Sequence, residues 1–229
     1  MYFVMILAGG IGSRAGGSLP KQFQNLCGRP ILLRSIRAFG NVLPDAAFVI
    51  VAHPDYHDLC VDLISSAPDL ASLPYVVTDG GSSRVESVRN GLNVIEMSVE
   101  SGSEDVVLIH DAARPLVSSA VIRDALKKVK SGCGVVPGIP LTDSVRKIKG
   151  NTTVSANRND FVAVQTPQVF LLDDIARAYR MVKDDSLFTD DASVGEAAGL
   201  KILISDGDPA NLKITNPIDF KIAEALLKQ

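Results

Sequence analysis

Four short runs, at residues 2–7, 47–52, 75–78 and 106–110, are apolar at almost every position and rich in β-branched side chains. A run with no polar alternation has no face to turn to water, so it fits a strand buried on both sides. Between the runs, apolar residues recur at helical spacing. Ile31, Leu32, Ser35, Ile36 and Phe39 share one face over 31–39, and Leu59, Leu63 and Ile64 share another over 57–66. Ser83-Arg84-Val85-Glu86 reads as a capping box that opens a helix to about residue 96, and a further helix spans 119–130. Strand followed by helix, repeated, predicts an α/β fold: a Rossmann-like, mostly parallel sheet with helices on both faces. In such sheets ligands bind beyond the carboxyl ends of the strands. Those ends carry the unusual residues here, at 9–21, 79–87 and 110–114.

The second half departs from this rhythm. After an extended run at 134–137, residues 138–157 alternate apolar and polar positions, with a proline at 140 and a Gly-Asn turn at 150–151. This predicts a protruding β-hairpin arm on a single 1–229 domain. Helices follow at 172–182, after Thr189-Asp190-Asp191, and at 217–227, where Pro217 suits the first turn; a strand is expected at 201–205.

A chain of 229 residues buries enough surface to fold without disulfide or metal staples. Its formal net charge of −3 argues against a general nucleic-acid surface. Cys27, Cys60 and Cys133 are odd in number and form no C-x-x-C pair, which predicts reduced thiols and a cytoplasmic protein. The opening "MYFVMILA" is too short and lacks the basic flank of a signal peptide, and no run reaches the 18 or so apolar residues of a membrane span, so no membrane partner is expected.

The stretch "ILAGGIGSRAGGSLPKQF" contains G-x-G-x-x-A, the dinucleotide-binding fingerprint. That reading requires a helix starting in the motif and an acid about 20 residues on. Gly16, Gly17 and Pro20 forbid the helix, and no Asp or Glu precedes Asp45. The P-loop pattern is absent as well. Residues 1–44 do carry Arg14, Lys21, Arg29, Arg34 and Arg37. A glycine-rich backbone with a guanidinium fork and a mobile ammonium suits a polyphosphate; a long solvated turn with ordinary surface cations fits as well.

Other segments also support two readings. Asp111, in "VLIHDAARP", is placed like a Mg²⁺ ligand at a strand end, or else pairs locally with Arg114. "TDGGSSRVES" either brings backbone close to a flat ring or is simply a tight strand-to-helix turn. Lys213, in "NLKIT", faces a site or protects a sheet edge. His53, His57 and Cys60 read as a solvated helix start, because Pro54 breaks helical histidine spacing. With three histidines and no Ser-His-Asp or Cys-His ordering, a hydrolytic triad finds no support.

Taken in order, "LAGGIGSRAGGSLPKQF", "DGGSSRVESVRNGL", "HDAARPLV", "PLTDSVRKI", "NRNDFVAVQTPQVF", "TDDASV" and "NLKITNPIDF" resemble the 2-C-methyl-D-erythritol 4-phosphate cytidylyltransferases over nearly the whole chain. The resemblance implies a fold of the nucleotide-diphospho-sugar transferase type. It implies attack of a polyol phosphate on the α-phosphorus of CTP with loss of pyrophosphate, dependent on Mg²⁺. By the same resemblance, Arg14, Lys21 and Lys213 grip the phosphates and stabilise the five-coordinate phosphorus, and Asp111 holds the metal. Ala8, Gly9, Gly10, Gly12, Gly80, Gly81 and Ser87 frame the nucleotide. Arg114, Ser144, Arg158, Thr166 and Thr189 match positions that meet the polyol phosphate, and the arm reaches across a homodimer. The "LAGG" spelling departs from the usual "AAG" and also resembles ribitol-5-phosphate cytidylyltransferases, the alternative reading. Ser144 stands where threonine is frequent, which keeps the hydroxyl. A chain ending at Gln229 is expected to lack a fused second catalytic domain.

Overall fold

The computed structural model describes residues 1–10, 19–98, 102 and 104–228. Strand β1 (Tyr2–Ala8) is followed by a two-residue pair, β2 (Asn25–Leu26) and β3 (Arg29–Pro30), then α1 (Ile31–Gly40), β4 (Ala47–Ala52), α2 (His57–Ser65) and β5 (Tyr75–Asp79). Next come α3 (Arg84–Ser98), β6 (Val106–Asp111), α4 (Ser119–Lys128) and β7 (Cys133–Pro140). The arm strands β8 (Val145–Lys149) and β9 (Thr152–Ala156) precede β10 (Val162–Val164), β11 (Gln168–Leu171), α5 (Leu172–Met181), α6 (Asp191–Ala197), β12 (Lys201–Asp206) and α7 (Pro217–Leu227).

The main sheet runs β5-β4-β1-β6-β11-β7, with β10 and β12 also on β7. Strands β1, β4, β5 and β6 are mutually parallel, as the buried apolar runs predict. From β1 the chain moves outward to β4 and β5, then crosses back to β6 on the other side of β1. The direction reverses between β1 and β6, which opens a crevice beyond their carboxyl ends.

The two-residue period of each strand divides its side chains between two cores. Val4, Ile6, Phe48, Ile50 and Leu108 pack with α1, α2 and α4 on one face. Phe3, Met5, Val49, Val51, Val107 and Ile109 pack with α3, α5 and α6 on the other. At about 25 cal/mol per Å² of apolar surface buried, these two layers dominate the driving force for folding.

The far side of the sheet adds a detail and corrects one boundary. Strand β11 runs antiparallel to both β6 and β7, and β10 runs antiparallel to β7, so the sheet is mostly parallel, as expected, with two antiparallel strands. Residues 138–140, expected at the base of the arm, instead complete β7, with β10 on one edge and β12 on the other. Their alternation reads the same in a hairpin as in a sheet; the pairing partners lie more than twenty residues away. The arm therefore narrows to β8 and β9, joined at Gly150 with φ +56°, a conformation that glycine adopts at no steric cost.

Candidate active site

A cavity of about 580 Å³ opens at the β1–β6 crevice. Its walls come from Leu7–Gly10 after β1, Asp111–Ala113 after β6, the turn before α3, Lys21, Gln22, Lys213 and Thr215. The Gln22 side-chain amide donates to the carbonyls of Ala8 (2.6 Å) and Gly10 (2.8 Å). These bonds tie the start of the glycine stretch to the single 3₁₀ turn Lys21–Phe23, which places Lys21 on the wall. Arg14 and Gly12 lie outside the described residues.

Asp111 ends β6, with its side chain 13% exposed. Lys213 Nζ sits 2.7 Å from Asp111 Oδ2, and Arg114 Nε lies 4.0 Å from the same oxygen. Burial alone would raise the Asp111 pKa. The charges of Lys213, Arg84 and Arg114 and the Lys213 hydrogen bond outweigh it, holding the carboxyl well below the usual range. Lys213 reaches this place through its neighbour. Ile214 is fully buried among Leu26, Ile31 and Ala223, and its N–H donates to the Ala113 carbonyl at 2.8 Å. With Ile214 anchored, the adjacent Lys213 lies on the cavity wall against Asp111.

Behind Asp111, the fully buried His110 accepts from the Thr166 hydroxyl at Nδ1 (3.0 Å) and donates from Nε2 to the Arg114 carbonyl (3.1 Å). Thr166 Oγ1 also accepts the Asp111 backbone N–H at 3.1 Å. This set of bonds requires a neutral imidazole. Burial depresses the His110 pKa to about 4, although the Asp111 charge opposes the shift.

On the opposite wall, the Ser87 hydroxyl accepts from the Gly81 N–H (3.1 Å) and donates to the Ser83 carbonyl (2.8 Å). Gly80 packs so closely that an added Cβ would lie 3.0 Å from Ser87 Oγ and 3.2 Å from the Ala52 carbonyl. The capping box forms in part: Ser83 Oγ accepts the Glu86 N–H (2.9 Å), but the Glu86 carboxylate takes the N–H and hydroxyl of Ser82 instead of the Ser83 N–H.

The fold thus brings Ala8, Gly9, Gly10, Lys21, Gly81, Ser87, Asp111 and Lys213 to one cavity, with Gly80 just behind. Thr166, buried, and Arg114, partly buried, stand behind Asp111 rather than on the surface of the cavity; Arg114 Nη1 is bonded to the Asn211 carbonyl at 2.8 Å. Ser144 and Arg158 belong to the arm and its base and do not line the cavity, and neither does the exposed Thr189. Arg158 Nη1 bonds the Thr142 carbonyl at 2.6 Å. His57 pairs with Asp79 at 2.7 Å, and among the described residues no group of three or more His, Cys, Asp or Glu side chains is placed to hold a metal.

Sequence reasoning missed Gln22, the structural part of His110, and the pairing of Arg84 with Asp191. Capping was the only visible signal for the Arg84 and Asp191 segments, and it gave no hint that the two helix starts face each other.

The description "2-C-methyl-D-erythritol 4-phosphate cytidylyltransferase" belongs to the family whose model matches residues 2–229. A protein so named from Bacteroides fragilis is 37% identical, over 97% of this chain and 98% of its own. One from Roseobacter denitrificans is 39% identical, over 98% and 96%. The solved structure of the Francisella tularensis 2-C-methyl-D-erythritol 4-phosphate cytidylyltransferase superposes with a TM-score of 0.77 at 28% identity, covering 98% of each chain. That of Thermus thermophilus gives 0.74 at 28% identity, over 99% and 98%. The fold, the cavity at its switch point and the match along the whole chain agree: the chain belongs to the 2-C-methyl-D-erythritol 4-phosphate cytidylyltransferase family.

Proposed function

We infer that this chain transfers CMP from CTP to 2-C-methyl-D-erythritol 4-phosphate, giving 4-diphosphocytidyl-2-C-methyl-D-erythritol and pyrophosphate in non-mevalonate isoprenoid precursor synthesis. One observation carries the reading within this family: Lys21, Lys213 and an ionised Asp111 converge on the same cavity as the Gly81–Ser87 turn. A phosphate oxygen of the polyol attacks the α-phosphorus and forms a new P–O bond. The bond from the α-phosphorus to the bridging oxygen breaks, and the electron pair leaves with pyrophosphate. The protein's part is to position both phosphates and to offset the charge that gathers on the equatorial oxygens. Lys21, Lys213 and Arg14 supply that charge, and the small Ala8–Gly10 and Gly80–Ser87 walls frame the cytidine.

Among the described residues Asp111 is the only carboxylate on the wall, and its neighbours keep it ionised. One carboxylate with phosphate oxygens and water is a fitting donor set for Mg²⁺, which seldom uses an all-protein cage. When bound, the metal neutralises phosphate charge. Thr166 and His110 hold the backbone of Asp111 in place from behind.

The arm supports assembly as a homodimer. Among the described residues its two strands pair only with each other, and Ile148 is 76% exposed. An isolated two-stranded hairpin is marginal in water, so cover by a second copy is physically apt. Ser144, Arg158, Arg114 and Thr189 would then serve the polyol phosphate. Three cysteines without disulfides support a cytoplasmic location, and no described helix is long and apolar enough to cross a membrane.

Incubation with CTP, Mg²⁺ and 2-C-methyl-D-erythritol 4-phosphate should release pyrophosphate, and ribitol 5-phosphate should support far less. Lys21→Ala should lower kcat by about 10²–10³-fold, the scale for losing one preorganised charge stabiliser. Turnover with ribitol phosphate alone, or full activity of the variant, would refute the assignment.

A further inference from the structure

The least expected group near the cavity is an ion pair. Arg84, the first residue of α3, lines the cavity. Its Nη1 and Nη2 each lie 2.7 Å from one oxygen of Asp191, the first residue of α6. Asp191 is wholly buried, and the Tyr179 hydroxyl donates to the same carboxylate at 2.5 Å. A buried pair of this kind is poor evidence for stability, because desolvation of both charges cancels most of their attraction. What a two-bond fork does supply is direction: it fixes the orientation of one helix start against another.

The two ends of the pair are anchored unequally. On the Asp191 side, Asp190 caps α6 through the Ser193 N–H (3.0 Å) and accepts from Gln168 (2.9 Å), whose side-chain carbonyl takes the Ala192 N–H (2.8 Å). These bonds hold α6 to the sheet without Arg84. On the other side, the bonds of Ser82, Ser83, Glu86 and Ser87 are mostly internal to the turn. Ser83 adds one bond outward, to Asp185 at 2.6 Å, which lies in the segment leading to α6. At its β5 end the turn is tied to the sheet, where the Gly80 N–H donates to the Ala52 carbonyl at 2.6 Å, and Val85 and Val88 of α3 pack into the core; the polar side-chain bonds that orient its α3 end from outside come from the Asp185–Asp191 segment.

We propose that Arg84 and Asp191 are positioning residues for the nucleotide: they clamp the Gly80–Ser87 turn in the orientation that receives the cytidine. The inference rests on the reading of that turn as the cytidine wall. Loss of the clamp frees the turn rather than α6, so CTP binding suffers more than polyol-phosphate binding. The positive charge of Arg84 also contributes to keeping Asp111 ionised.

The test replaces the whole polar group at once with Arg84→Met, Asp191→Leu and Tyr179→Phe, which leaves no buried partner side chain unpaired. The triple variant should fold, by circular dichroism and thermal melting, as well as wild type. Its KM and calorimetric Kd for CTP should rise by about tenfold or more, with a smaller change in the KM for polyol phosphate and in kcat. Its preference for CTP over UTP should narrow. Arg84→Lys, which keeps the charge and loses the fork, should show the same split in milder form. Wild-type CTP affinity in the triple variant overturns the proposal, and so does an equal loss in both KM values. If the triple variant does not fold, wild-type CTP affinity in Arg84→Lys overturns it. Failure of the wild-type protein to bind CTP would instead strike the substrate assignment, a separate result.

Discussion

At the scale of single residues, the chemistry depends on groups held in one charge state. His110 must be neutral, since its two ring nitrogens donate to a carbonyl and accept from a hydroxyl. Its pKa is depressed to about 4 in the folded chain against an ordinary value near 6.5. As pH falls from about 6.5 to about 4, the unfolded chain takes up a proton that the folded chain refuses. Stability from this residue is full above the window and is lost on descending through it. In metal-free buffer, urea denaturation should therefore show wild type losing about 2 kcal/mol more than His110→Asn between pH 6.5 and 5. Parallel pH profiles for the two proteins would show that His110 does not titrate in this way. The sequence offered Asp111 and Lys213 as candidates, each with a second reading, and the structure places both on the cavity wall. The sequence could not rank Lys213 as a partner of Asp111 over Arg114, since that depends on where Ile214 is buried.

At the scale of elements, the segment from Asn211 to Thr215 has no regular structure, yet it delivers a charged side chain to the cavity. Ile214 anchors it, in a small third core with Leu26, Ile31 and Ala223. Ile214→Ala should cost about 2–5 kcal/mol by chemical denaturation, the range for emptying a buried aliphatic site. It should also slow pyrophosphate release at temperatures where the protein remains folded, because Lys213 loses its fixed aim. A stability loss with unchanged turnover would show that Lys213 is placed by something else. The helices and the parallel strands were legible from their periods of 3.6 and 2. The β7 boundary was not, because a strand end and a hairpin base share one alternation, and partners distant in sequence decide between them.

Across the whole molecule, the mixed sheet separates two tasks. The parallel run from β5 to β6 builds the crevice, and the far side, where β10 and β11 run antiparallel, carries the arm on β7. The arm exposes Ile148 and Val154 and has its own charged residues, among them Arg146, Lys147 and Lys149. If a second copy covers it, light scattering should give a dimer for wild type, and Ile148→Asp should shift the population toward monomer. The same substitution should raise the KM for polyol phosphate while the KM for CTP changes little. A wild-type monomer with full activity would remove the dimer from the account.

The amino-acid sequence by itself determined the layered α/β class, the strand ends that line the cavity, and the family, because these depend on local periodicity and on motifs a few residues long. Only the tertiary structure decided that β11 enters the sheet antiparallel, that Thr166 and Arg114 stand behind Asp111, and that Arg84 meets Asp191. Apart from Arg114, three residues on from Asp111, each of those is a pairing between segments more than fifty residues apart, or a strand direction, set by packing rather than by local preference. The glycine-rich opening illustrates the division: its composition suggested a phosphate site, and the structure sets its described ends, Gly9, Gly10 and Lys21, on the crevice between β1 and β6.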